Sequence, residues 1–399
     1  MTGSGALALL HEIDDVGRDP RRGGYSRHVF DDAERTLRDW FVERAQRMGL
    51  SVSPDRNGNL WAWWGEPGPD AFVTGSHLDS VPGGGAHDGP LGVVSALAAV
   101  EQLQAAGFTP TRPFAIVVFA EEEGSRFGIA CLGSRLLSGA ISAERAAGLT
   151  DAEGRTFGDV ARGAELPEFG FDADALGRIG VFVELHVEQG KGLIDLDAPV
   201  AVGSTILEHG RWRIDVRGRG NHAGTTAIGD RHDPMLPAAS AVLAARQAAA
   251  RRVGSRATIG RLEPVPGGTN VIASRVSAWL DVRADSERDT RDIVAEVAAA
   301  VADAAAAEGC ESAVVEESYS GEVRFDPQLR DRIAATLGGV PVLPTGAGHD
   351  AGVLAAHVPT AMLFVRNPSG VSHAPDEGAD DAAIDAGVSA LVRTIEELT

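Results

Sequence analysis

Cysteine is scarce in this chain of 399 residues: Cys131 and Cys310 are the only two, far apart and in no C-x-x-C pair. That excludes a disulfide framework and fits a reducing compartment. Long apolar runs are missing as well. The N-terminal stretch 6–10 is too short for a signal-peptide core and has no basic lead-in. No segment approaches the roughly 20 apolar residues of a membrane span. The one Asn-x-Ser/Thr match, Asn367-Pro368-Ser369, is blocked by its proline. Positive charge is in deficit, with 36 Lys and Arg against 57 Asp and Glu, a formal net charge of −21. A surface of that sign repels nucleic acid and anionic membrane, so neither is expected as a partner. The acidity serves solubility, and it means that an anionic substrate needs a local cation within its site. These absences leave a soluble cytoplasmic protein as the expectation.

What is present reads as ordinary globular material, 44% hydrophobic and 23% charged, at a length that suits two domains. Asp31 and Asp32 can cap a helix that carries Leu37, Trp40 and Phe41 on one face and stops at Gly49. Val93, Leu97 and Val100 mark a second helix, ended by Gly107. Residues 114–120 are seven apolar residues without alternation, the pattern of a strand buried on both faces. Residues 181–185 and 361–365 look like further strands of the same kind. Strands alternating with helices predict an α/β domain with a mostly parallel central sheet and flanking helices. The texture changes near residue 209. Trp212, Ile214 and Val216 alternate with polar residues, as do Val276, Ala278, Leu280 and Val282, which predicts antiparallel strands with one open face. Helices are expected over 234–252 and through Ile293, Val297 and Val301. The predicted organisation is therefore a catalytic α/β domain, 1–208 and 319–399, with an α+β domain, 209–318, inserted into it.

Four polar clusters follow predicted strands, where open α/β sheets bind ligands. The first runs from His77 and Asp79 through a glycine-rich turn to Asp88. An imidazole and a hard carboxylate suit a metal, and the Asp79 carboxylate is placed to fix the His77 tautomer. The second is Glu121-Glu122-Glu123, whose carboxylates repel one another unless a cation is near. The third is His186-Val187-Glu188-Gln189-Gly190 and the fourth Ser372-His373-Ala374-Pro375-Asp376-Glu377. Each alone reads equally as a polar loop. Together they offer enough His, Asp and Glu for a dinuclear site.

The chain resembles the M20 metallopeptidase and amidohydrolase family, in the branch of allantoate amidohydrolases and N-carbamoyl-L-amino-acid hydrolases. The resemblance is carried by GSHLDSVPGGGAHDG, EEEGSRFG, ELHVEQG, GNHAGTT, PGGTNVI, LDVR, GAGHDAG and GVSHAPDE, in the family's order. It implies a lid domain that forms a homodimer. It implies two divalent metals, zinc or manganese with nickel or cobalt as possibilities, on His77, Asp88 and His186 and on Asp88, Glu123 and His373. Catalytic roles would fall to Glu122 as general base taking the proton of a metal-bound water, which attacks as hydroxide, to Asp79, and to His222 as an oxyanion donor from the other subunit. The substrate carboxylate would meet Asn270 and Arg283, the ureido amide Gln189, and Gly348 would line the site. Apart from the resemblance, Arg283 lies on the strand face away from the core, and arginine binds carboxylate with two parallel hydrogen bonds. His222 on its own reads as a turn residue.

The expected reaction is hydrolysis of a ureido C–N bond on a small carboxylated substrate, allantoate or an N-carbamoyl-L-amino acid, releasing ammonia and carbon dioxide. An M20-type peptidase or N-acyl-amino-acid deacylase is the alternative, and a metal-binding scaffold without activity ranks last. Ala227-Ile228, His232 and His87 depart from the family's usual residues and bear on substrate choice. His11, His28, His209 and His357 have no supporting context and read as structural or surface.

Overall fold

The computed structural model describes residues 5–166 and 168–399. The chain divides into two compact units, one running to Thr205 and resuming at Arg324, the other Ile206–Val323. The division lies slightly outside 209–318 because the strands at its edges begin before and end after the clearest alternation.

The strands in chain order are β1 (Ser51–Pro54), β2 (Leu60–Trp64), β3 (Ala71–His77), β4 (Phe114–Phe119), β5 (Ile179–Val187), β6 (Val200–Ile206), β7 (Glu208–Arg217) and β8 (Asn221–His222). They continue with β9 (Arg256–Val265), β10 (Val271–Ile272), β11 (Arg275–Ala284), β12 (Glu311–Ser320), β13 (Val323–Arg324), β14 (Val342–Thr345) and β15 (Thr360–Val365). Among the described residues the large sheet has nine strands in the order β1-β2-β4-β3-β5-β15-β6-β13, with β14 beside β6. Its centre, β4-β3-β5-β15, is parallel, and β2 and β6 join antiparallel. The expected α/β class is the one found.

Every residue of β3, β4 and β15 is buried, which is why their sequences run apolar without alternation. Phe114, Ile116 and Val118 of β4, with Val181, Val183 and Leu185 of β5, enter one core with the helices Pro90–Ala105 and Asp381–Leu398. Alternate residues of β5, Glu184 and His186, therefore project to the opposite face. The helix Asp32–Arg47 is capped by Asp31, whose carboxylate accepts the Glu34 N–H at 2.8 Å.

The second unit is a four-stranded antiparallel sheet, β12-β7-β11-β9, with a two-stranded ribbon of β8 and β10. Trp212, Ile214 and Val216, with Ala278, Leu280 and Val282, pack beneath the helices Met235–Ala250 and Glu287–Ala307 through Ala241, Ala245, Ile293 and Val297. Leu236, Val242 and Leu243 lie exposed on the first of these helices.

Candidate metal centre

The four parallel strands bring their carboxyl ends to one place, where ligands of open α/β sheets bind. β3 ends on His77, β5 carries His186 next to its last position, Glu121–Glu123 follow β4 directly, and the loop to His373 follows β15. Ligand atoms of His77, Asp88 and His186 lie within 4.8 Å of one another, and so do those of Asp88, Glu123 and His373. Asp88 belongs to both triplets, so one carboxylate can bridge two ions. The first triplet is fully buried. The second is open at His373, whose side chain is half exposed, as a catalytic centre that must admit substrate requires.

The imidazoles are preset for coordination. His77 Nδ1 lies 3.0 Å from the Asp79 carbonyl and His186 Nδ1 2.9 Å from the Val187 carbonyl. An Nδ1–H donated to a carbonyl leaves the lone pair on Nε2. Both Nε2 atoms are buried without a hydrogen-bond partner. They face Asp88 Oδ1 at 3.7 and 3.2 Å. His373 Nε2 faces Asp88 Oδ2 at 3.4 Å and Glu123 Oε2 at 3.5 Å.

The charge balance is unusual. Asp79, Asp88, Glu122 and Glu123 crowd one buried space, and among the described residues none of them pairs with Lys or Arg. Burial and then the Asp88 charge push Glu123 up to about 8. Burial, with Asp350, Glu123 and Asp79 nearby, pushes Glu122 well up despite His77. Burial opposes a charge on His77, but Glu122, Asp79 and Glu123 outweigh it and raise its pKa well above the ordinary value. Burial also opposes the charge on Asp88, yet His186, His77 and His373 hold its carboxyl below the ordinary range. Preset Nε2 atoms and surplus carboxylate fit a pair of divalent cations.

The surrounding residues refine the sequence reading. The Asp79 carboxylate stands 3.6 Å from His77 Nδ1, and it is the Asp79 backbone carbonyl that accepts the ring's hydrogen bond. The carboxylate accepts the N–H groups of Glu122 and Glu123 at 3.2 and 3.1 Å, and so anchors the loop that carries them. Glu121 turns away. Its backbone is left-handed at φ 56, and its carboxylate accepts the Arg126 and Phe127 N–H groups at 2.9 and 2.7 Å. Gln189 donates to Asp88 Oδ2 at 2.9 Å and Ser372 Oγ at 3.0 Å, while its Oε1 is buried without a partner. Beside Gly348, which is exposed, the buried His349 ring meets the His186 ring edge-on at 4.5 Å. Burial, then His186, keeps His349 neutral.

Sequence reasoning placed Glu377 in the fourth cluster and Glu184 in a strand but gave neither a role. Glu377 accepts the Asp88 N–H at 2.9 Å, the Ser372 hydroxyl at 3.0 Å and the His373 N–H at 3.3 Å. Glu184 accepts Ser76 Oγ at 2.8 Å and the Ala351 N–H at 3.1 Å. The signal for Glu184 was a lone acid inside an apolar strand.

Within the second unit, His222 pairs with Val271 across the β8–β10 ribbon, and the Asn270 carbonyl accepts the Ala223 N–H at 2.9 Å, so the ribbon brings these two residues together. His222 is exposed, its Nδ1 accepting the Gly224 N–H at 3.1 Å. Arg283 lies on β11 and donates to Asp281 Oδ1 at 3.0 Å. His232 has a structural task, its Nδ1 lying 3.0 Å from the Glu308 carbonyl.

Gly89 shows how tightly His77 is seated. At φ +87, a Cβ added there would lie 2.4 Å from the His77 ring. Gly89→Ala is expected to weaken metal binding about 10–100-fold, the usual cost of disturbing a ligand's support. Metal titration with a competing chelator measures it.

The profile of peptidase family M20/M25/M40 matches residues 73–397. The chain belongs to this family, as the motifs of its sequence implied. Its relatives include amidohydrolases. It is 35% identical to N-carbamoyl-L-amino acid amidohydrolase of Geobacillus stearothermophilus, over 98% of this chain and 97% of that protein. It is 30% identical to allantoate amidohydrolase of Escherichia coli strain K12, over 97% and 95%. Among solved structures, an amidase of the hydantoinase/carbamoylase family from Burkholderia vietnamiensis is 29% identical and superposes with a TM-score of 0.89, over 99% of this chain and 98% of that one. Among the described residues no helix is long and apolar enough to cross a membrane.

Proposed function

We propose that the protein hydrolyses the ureido C–N bond of a small carboxylated substrate, allantoate or an N-carbamoyl-L-amino acid, releasing ammonia and carbon dioxide. The observation that carries this reading is the sharing of Asp88 between two imidazole-bearing triplets, with the Glu122 carboxylate alongside. His77, Asp88 and His186 would hold one divalent ion, and Asp88, Glu123 and His373 the other. Bound there, zinc or manganese, or nickel or cobalt, supplies Lewis acidity and lowers the pKa of a water.

Glu122 belongs to neither triplet. Its Oε2 lies 3.7 Å from His77 Nε2, on the side of the ligand cradle. There it takes a proton from the attacking water and passes it to the leaving nitrogen. Gln189 Oε1 is left to accept a ureido N–H. Asn270 and Arg283 receive the substrate carboxylate, which answers the chain's net charge of −21. His222 stabilises the oxyanion from the other subunit of a homodimer formed through the second unit. The exposed Leu236, Val242 and Leu243 on that unit are apolar surface of the kind that association covers.

The test is ammonia release by protein reloaded with manganese or with zinc. The panel is allantoate, several N-carbamoyl-L-amino acids, N-carbamoyl-β-alanine, an N-acetyl amino acid and a dipeptide. Ammonia is expected from allantoate or from the carbamoyl-L-amino acids, and which of them gives it names the substrate. Amine release from the acyl or peptide substrates alone would replace this reading with the deacylase or peptidase alternative.

A further inference from the structure

One buried side chain that the reaction above does not use touches the base. Cys131 sits at φ 56, ψ 37, a left-handed backbone that non-glycine residues seldom adopt. Such strain persists where the surroundings over-determine it, and here they do. The Cys131 N–H donates to the Glu122 carbonyl at 2.6 Å. Its own carbonyl accepts the Ser134 hydroxyl at 3.2 Å. Ser134 Oγ also lies 2.5 Å from Asp350 Oδ1. Asp350 is fully buried, and burial favours its protonated form. Ser134 Oγ thus lies within hydrogen-bond distance of both Asp350 Oδ1 and the Cys131 carbonyl, and ties the Cys131 backbone to a buried acid. Held in this way, Cys131 brings Sγ to 3.3 Å from Glu122 Oε1, while Glu122 Oε2 faces His77 Nε2.

We propose that Cys131 is a positioning residue for Glu122: its thiol donates to Oε1 and so aims Oε2 at the water that attacks the substrate. The proposal rests on Glu122 being the base. A carboxylate with a donor on one oxygen has one orientation instead of several, and catalytic geometry tolerates little error. An aliphatic side chain would fill the same space without supplying that donor.

The experiment compares Cys131→Ala, Cys131→Ser and Glu122→Gln as metal-loaded enzymes of matched metal content. Losing the donor in Cys131→Ala is expected to lower kcat about three- to tenfold with little change in KM. Cys131→Ser, which keeps a donor, should recover most of the loss. Infrared difference spectra against Cys131→Ser isolate the Cys131 S–H stretch. It should lie below that of a free thiol and move upward in Glu122→Gln. Wild-type kcat in Cys131→Ala, equal impairment in the alanine and serine variants, or a free-thiol band would each overturn the proposal. Full activity in Glu122→Gln would instead remove the base assignment on which it stands, whatever the infrared band shows. The band in wild-type protein decides the contact even if Cys131→Ala fails to fold.

Discussion

Glu122→Gln is expected to lower kcat about 10²–10⁴-fold, the usual contribution of a positioned acid–base group, while the protein keeps its fold and both metals. Glutamine has the shape of glutamate, and its amide oxygen can still accept the Cys131 S–H, so packing in this buried spot is undisturbed. What disappears is the acceptor for the water's proton. Because Glu122 lies in neither ligand triplet, metal content should stay at the wild-type level. Elemental analysis beside the rate measurement separates the possibilities. A loss of activity that tracks a loss of metal would make Glu122 a ligand instead of a base.

Asp88→Asn should do the opposite, emptying the site rather than stalling it. Asp88 is the one group common to both triplets, and asparagine cannot place a negative charge between two cations. Both ions should bind at least about tenfold more weakly and activity should fall below detection, whereas His373→Ala should spare the ion on His77, Asp88 and His186. Metal binding should also depend on pH in a direction the site sets. Burial and Asp88 push Glu123 from 4.5 up to about 8 in the metal-free protein, and the neighbouring carboxylates raise His77 as well. A carboxyl raised on folding stabilises the metal-free fold below its unfolded pKa. That stabilisation is lost as pH climbs towards about 8. Metal needs the deprotonated ligands and so displaces those protons. The increase in Tm on adding metal should therefore grow between roughly pH 6 and pH 8. An increase that shrinks over this range would contradict the assigned ligands.

The parts of this architecture legible in the sequence are those with a period. β4 and β15 were readable because strands buried on both faces need apolar residues at every position, and β7 and β11 because one open face imposes alternation. The strand ends were readable because polar residues clustered there. What escaped has no local signature. Three consecutive glutamates look alike on paper, and the left-handed backbone at Glu121 turns that one away from the ligand cluster, onto the Arg126 and Phe127 N–H groups. Whether Asp79 meets His77 with its carboxylate or its carbonyl depends on the path of the loop. Cys131 matters through contacts made across folded chain, and the bond between Asp88 and Glu377 spans 289 residues.

That last bond has a bearing on biosynthesis. A nascent chain presents His77 and Asp88 early, passes through the entire inserted unit, and only near its end supplies Ser372, His373 and Glu377, which anchor Asp88 and complete the second triplet. An ion arriving during translation finds a partial set of hands. On the proposed assignment a chain cut short before His373 could hold the first ion alone, so metal stoichiometry in a preparation would double as a gauge of how many molecules extend past the loop after β15.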